Sequence, residues 1–242
     1  MKLSHIIIIA PFFLINISAQ SFGFGCLGLS GIYGGYSIQQ FDVDGLDKGI
    51  ELFCSTDNMN HENIDFGELE GYRLGANIFR AKFSNFFITT KGYYQFLGKK
   101  DWAYTTGEGS VKSDEFQLRM NHWGLALDLG FPILSFIDWK IVEGGINFYD
   151  MEFDYQSLIN PEVSKISYSR DEVVIGYYAG TGLIIHIIPN YLSIEGTAVY
   201  NFLDFKEYSP LDEDPFGFTN STQTLIKGKF GAVVQLNIGV PL

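Results

Sequence analysis

Charge is scarce in this sequence. Of its 242 residues 18% are charged, with 16 Lys and Arg against 28 Asp and Glu and a net charge of −12. That content is low for a water-soluble domain. No basic patch stands out, which argues against nucleic acid as a partner. Cysteine is scarcer, at two. Cys26 and Cys54 are expected at opposite ends of one strand, too far apart for a disulfide. The GFGC context of Cys26 lacks the leucine and small-residue spacing of a lipoprotein signal. Past residue 19 there is no run of about 20 apolar residues, so any membrane crossing must use strands. Proline is rare and well placed: Pro132 and Pro189 fall in short connections, Pro161, Pro210 and Pro215 in long ones. None is expected in a strand interior, where it would remove a ladder donor.

The chain opens with a leader. Lys2 supplies a positive start, residues 6–17 an apolar core of about a dozen residues, and Ser18-Ala19 small residues before a cut at Gln20. Residues 1–19 are the expected signal peptide and 20–242 the expected mature domain. What is plentiful is glycine (27), phenylalanine (22) and tyrosine (14). That excess suits strands and turns better than helices.

The final stretch, LIKGKFGAVVQLNIGVPL, shows the pattern that organises the chain. Every second residue is apolar from Ile226 to Val240, while the residues between are Lys227, Lys229, Gly231, Val233, Gln235, Asn237 and Gly239. Period-2 alternation of this kind predicts strands near 24–41, 68–80, 85–98, 116–131, 136–154, 172–188, 191–206 and 224–240. No helix is expected. Two strands, around IYGGYS and VEGGINF, are expected to change phase at a Gly-Gly pair, where a bulge would restore alternation. Connections alternate long and short. The long ones are 42–67, 99–115, 155–171 and 207–223, and a sequential antiparallel meander puts them all at one end.

A soluble eight-stranded barrel also alternates, with its apolar face inside and a charged exterior. Here the polar faces carry Gly, Asn, Thr and Gln with sparse charges of both signs, and the dense charge sits in the loops. That favours polar-in, apolar-out. The expected fold is an all-β, eight-stranded antiparallel up-and-down transmembrane barrel with short periplasmic turns and long extracellular loops. Phe86, Phe131, Trp139 and Tyr191 near the short turns, and Phe96, Trp123 and Phe202 about ten residues away, are the expected aromatic girdles. The lumen is expected to hold an ion-pair network of Arg73, Lys91, Asp128, Asp138, Lys140, Glu143, Glu195, Lys227 and Lys229, since buried charges must be paired.

On leader, alternation, loop asymmetry and girdles, the mature chain resembles the small outer-membrane β-barrel superfamily of Gram-negative bacteria, the OmpA-transmembrane-domain and OmpX-like proteins. The resemblance implies residence in the bacterial outer membrane, contact with its lipid and lipopolysaccharide, and insertion by the barrel-assembly machinery. Members usually end in an aromatic residue; this chain ends Pro241-Leu242. The expected function is a structural or surface-interaction role, with the lumen plugged by side chains and an extracellular ligand met through the loops. A narrow small-solute channel is the alternative, and a lipid-modifying enzyme at the rim a third reading. His122 is followed by Trp123-Gly124 rather than a His-x-Ser arrangement, and His186 is expected at the other end. Both are expected to fill the lumen. DVDGLDKGIE does not fit the ligand spacing of a calcium loop. Catalytic residues, metal ligands and cofactors are expected to be none.

Overall fold

The computed structural model describes residues 20–21, 30–56, 64–83, 85–107, 110–157, 164–169, 172–206, 209–210, 216, 218 and 224–239. The leader, Cys26, Pro161, Pro215 and Pro241-Leu242 lie outside them.

Eight strands follow the alternating segments. They are β1 (Gly31–Asp42), β2 (Glu68–Lys82), β3 (Phe87–Gly107), β4 (Ser110–Leu134), β5 (Ile137–Ser157), β6 (Val174–Ile188), β7 (Leu192–Phe202) and β8 (Ile226–Gly239). Each pairs antiparallel with its sequence neighbour, β5 pairs with β6, and β8 pairs with β1. The sheet therefore closes on itself without a crossover. It is an all-β, up-and-down barrel of eight strands, and closure leaves no edge in the ring.

Which side is oily decides what the barrel stands in. Leu74, Trp123, Leu125, Leu127, Ile146, Ile175, Leu183, Ile194, Val234 and Ile238 all point outward and are exposed, Trp123 at 64% and Leu127 at 53%. The buried set on the inner face holds Ser37, Arg73, Lys91, Gln95, Asp128, Lys140, Glu143, Glu195 and Gln235. A soluble barrel does the opposite. The oily band is bordered by rings of aromatics. At one level Tyr36 meets Tyr72 edge-on, Tyr94 meets Phe96 and Trp123, and Tyr200 meets Phe202 and Phe230. At the other, Phe83 stacks on Phe86, and Phe131 faces Trp139 across β4–β5. From Trp123 to Phe131 is about 27 Å along the strand, or roughly 20 Å in height at a usual barrel tilt, near the ~25 Å band of outer-membrane barrels. The ring is a transmembrane β-barrel.

Above that band the apolar face changes sides. In β4 the oily residues are Phe116, Leu118 and Met120, then Trp123, Leu125, Leu127 and Leu129. The β4–β5 register runs unbroken through the switch, from Met120↔Met151 to Leu125↔Ile146. The backbone keeps its phase; the solvent changes. In lipid the oily residues face out, and above it they face in. Tyr149, Met151, Phe153 and Tyr155 repeat the change in β5.

The inward-facing residues above the band form a second core, which corrects two expectations. First, a helix exists: α1 (Asp44–Thr56) lies in the first long connection. It buries Leu46, Ile50 and Cys54, four residues apart, on one face. Asp44 and Asp47 in its first turn complement the helix dipole. Gly49 faces the Phe218 ring so closely that a Cβ would overlap it. Second, 99–107 and 110–115 are not loop. β3 and β4 continue through them as a hairpin, with Trp102 opposite Glu115 and Tyr104 opposite Ser113. The third long connection adds a strand, Ser164–Ser169, on β5, and Ser209–Pro210 from the fourth pairs with that. Phe41, Phe66, Phe116, Phe153, Tyr168, Phe205, Phe216 and Phe218 fill the space between. The extracellular part is a folded cap with its own core.

Candidate functional site

Tyr33, Tyr93 and Tyr178 each project into the lumen and lie over a glycine directly across the next strand: Gly75, Gly124 and Gly145. A Cβ at any of the three would overlap the tyrosine ring. Flat tyrosines on bare backbone narrow the lumen and pin the register.

Between these rings sits a closed cluster of charge. Lys91 Nζ lies 2.7 Å from Asp128 Oδ2, 2.6 Å from Glu195 Oε1 and 3.8 Å from Glu143 Oε2. Lys140 bridges Glu143 and Glu195 and donates to Thr197 Oγ1 at 2.6 Å. Arg73 donates from Nε to Gln95 Oε1 at 2.6 Å, reaches Glu143 at 4.0 Å and lies 4.1 Å above the Tyr93 ring. Tyr178 donates to Glu143 at 2.8 Å, while Gln235 and Asn237 donate to Glu195 Oε2 at 3.2 and 3.3 Å. Three cations, Arg73, Lys91 and Lys140, thus balance three carboxylates, Asp128, Glu143 and Glu195. Arg73, at 6%, is the most exposed of the six. Each ion alone would pay several kcal/mol for leaving water. The network offsets that because each charge meets more than one partner.

The carboxylate oxygens of Asp128, Glu143 and Glu195 lie within 4.8 Å of one another, a spacing that a metal ion could use. The ammonium groups of Lys91 and Lys140 already bind them, so the donor set is spoken for.

The remaining residues of the expected network lie elsewhere. Asp138 is at the periplasmic mouth, 3.2 Å from Arg80 Nη2 and 2.9 Å from His186 Nε2. Lys227 and Lys229 are not lumenal. Both are exposed on the outside near the extracellular end; Lys229 lies 3.9 Å from Asp42, and Lys227 is opposite Asp204 in register. The cause is a bulge between Gly228 and Gly231. It leaves Lys229 and Phe230 both outward and turns Ile226 and Gly228 inward, so the outer face of β8 does not run from Ile226 as the alternation suggests.

A bulge in β2 does the reverse. Ile78 and Phe79 both face out, the register slips between Asn77 and Phe79, and Arg80 comes into the mouth. Alternation counted from Tyr72 assigns Arg80 to the outside, so it was missed. Two adjacent apolar residues in a strand are the one signal of the slip. In β5 the irregularity falls between Lys140 and Glu143, with Ile141 and Val142 on the outer side, not at Gly144-Gly145. In β1 there is none: Gly34 and Gly35 keep register with Leu74 and Arg73.

The expected girdle residues Phe96, Trp123, Phe131, Trp139, Tyr191 and Phe202 are all exposed, and Phe86 is half-buried against Phe83.

No family model matches the chain, and no curated protein matches it. Among solved structures it is similar to Ail, the attachment invasion locus protein of Yersinia pestis, solved in complex with the heparin analogue sucrose octasulfate. That likeness has 14% identity and a TM-score of 0.41, covering 88% of this chain and 97% of that one. It is also similar to the outer membrane protease OmpT of Escherichia coli, at 7% identity and a TM-score of 0.40, covering 88% and 94%. Likenesses so distant speak to neither ligand nor activity.

His122 is fully inside, with its ring 4.4 Å from that of Tyr149 and edge-on to Tyr93 at 6.0 Å. It is not at a rim. His186 faces Ser193 across β6–β7 and touches Asp138, yet among the described residues no hydrogen bond joins it to a serine.

The cap carries one titration worth measuring. Burial, then the negative charges of Asp65, Asp44 and Asp42, push the Asp47 carboxyl on α1 up to about 6. A raised folded-state value means that its stabilising contribution is full below the ordinary carboxylate range and is lost as pH rises through about 6. Amide exchange along α1 is therefore expected to be slower at pH 5 than at pH 7.5 after correction for intrinsic rates. Asp47→Asn should flatten that difference; an equal slope in the variant would remove Asp47 as its source.

Proposed function

We propose that the chain is an integral protein of the bacterial outer membrane, made with residues 1–19 as a cleaved leader, that serves a structural or surface-interaction role rather than an enzymatic one. The observation that carries this reading is double closure. The lumen is blocked at mid-height by the Lys91–Glu195–Lys140 cluster, and the extracellular end is filled by the aromatic cap beneath α1. Among the described residues, ion-paired side chains fill the bore at mid-height and apolar side chains fill the space above it, which supports a closed lumen.

The outer band suits lipid, with lipopolysaccharide at the upper girdle, and insertion would fall to the barrel-assembly machinery. The polar outer surface of the cap is where an extracellular ligand would be met, since binding residues concentrate on connections held by a rigid scaffold. Planar-bilayer recording tests the closure. The purified barrel is expected to give no open steps of porin size, and such steps in the parent protein would overturn this reading.

A further inference from the structure

At the end of the barrel with the short turns, below the ion cluster, lies a cavity of about 70 Å³. Asn77, Arg80, Lys82, His186, Ser193 and Asn237 contribute to its walls. We infer that this vestibule binds a small oxyanion, a phosphate or carboxylate group of a soluble molecule arriving from the periplasmic side.

The charge balance is the first support. Asp138 neutralises Arg80, and it takes only one of the guanidinium nitrogens, Nη2. Among the described residues the rest of the five-donor fork makes no other hydrogen bond. Arg80 is steadied by the Phe87 ring, 4.7 Å below it. Lys82 makes no ion pair among the described residues, and His186 adds a ring that becomes cationic when protonated. The walls thus carry at least one uncompensated positive charge, and an oxyanion supplies its complement with several acceptor lone pairs.

Asn77 is the second, independent support. It is 8% exposed, and its side-chain oxygen position has no partner. As placed, that oxygen is an acceptor and offers nothing to an oxyanion; with the amide turned over, its N–H group stands there as an unpaired donor that an anion would satisfy. The two ends of an asparagine amide interchange by a flip, so the same group can offer N–H to an anion.

Geometry limits the source. The cavity lies at the short-turn end of the ring, between lumenal side chains and the turn that carries Asn190 and Tyr191. Asn237 and Asn77 join its roof to the cluster above: Asn237 binds Glu195, and Asn77 is opposite Lys91 in the β2–β3 register. A ligand therefore enters from below and stops there.

Isothermal titration of the folded full barrel in detergent, at low salt, with inorganic phosphate and separately with acetate, tests this. One saturable site is expected for at least one anion, and the tighter of the two names the group. Arg80→Gln and Lys82→Glu should each weaken it roughly tenfold or more. Lys227→Gln, at the other end, should leave it unchanged. Arg80→Gln also strips Asp138 of a partner, so folding is checked by heat-modifiable gel mobility, and Lys82→Glu alone decides the matter if that variant does not fold. No saturable heat for either anion up to about 50 mM, binding undiminished by Lys82→Glu, or equal weakening by Lys227→Gln would each overturn the site.

Discussion

Glu195→Ala is expected to lower the unfolding free energy of the barrel by about 3–5 kcal/mol, the usual loss when one partner of a buried ion pair is removed. Glu195 accepts from Lys91, Lys140, Gln235 and Asn237 at once. Its removal leaves two ammonium groups sharing Asp128 and Glu143 among buried side chains. The excess positive charge, rather than the lost contacts, sets the size of the effect.

That origin can be isolated. Adding Lys140→Met to Glu195→Ala removes one charge of each sign. Arg73 and Lys91 then face Asp128 and Glu143, two against two, with the Lys91–Asp128 contact of 2.7 Å intact. The double variant should therefore be more stable than Glu195→Ala alone, although it has lost more contacts. Guanidinium titration followed by tryptophan fluorescence, with gel mobility as a second probe, reads both numbers. A single-variant loss under about 1 kcal/mol, the scale of solvated pairs, would mean that the lumen is wet and the closure reading is wrong.

The eight strands were legible because a barrel in lipid has one strict requirement. Its outer face must be oily over about ten residues, and a period of two then fixes the inner face. Arg73, Lys91, Asp128 and Glu195 could be placed together on that ground, whereas Lys140 and Glu143, of opposite parity, share a face only because of a bulge in β5. Lys227, Lys229 and Arg80 could not, because a bulge changes the parity of everything beyond it. In β8 the outer residues above the band are free to be polar, so Lys229 beside Phe230 gives no warning. In β2 Ile78 and Phe79 suit the outer face equally well, and alternation alone does not say where the slip occurs.

The cap was hidden for a related reason. Above the membrane nothing demands an oily exterior, so the 99–115 hairpin reads as a polar loop even though its strands continue. Leu46, Ile50 and Cys54 do carry a helical spacing, but Gly45 and Gly49 interrupt it, and the small residue at Gly49 is explained by the Phe218 ring and the Phe216 carbonyl, far away in the chain. In β4 the switch of oily residues from even to odd positions around His122 was in plain view. Taken as irregular alternation, it says little; taken with the unbroken register to β5, it marks where the bilayer ends.

That boundary makes the second large prediction specific to depth. Leu127 lies midway between the Trp123 and Phe131 levels, on the outer face, and is 53% exposed. On a water-soluble barrel an exposed Leu→Arg change would be nearly neutral, within about 0.5 kcal/mol. In lipid the guanidinium must be carried to the middle of the hydrocarbon, so Leu127→Arg is expected to cost about 2–4 kcal/mol. Trp102, exposed on the outer face of the β3–β4 hairpin above the upper girdle, gives the contrast. Trp102→Arg should cost about 1 kcal/mol or less. Reversible unfolding from lipid vesicles measures both, and the difference between them is the quantity of interest, since it cancels any general cost of placing arginine in a strand. Equal losses at the two positions would say that residues 123–131 do not stand in hydrocarbon. A loss confined to Leu127 ties the apolar band to the bilayer, and the change of faces in β4 to its outer surface.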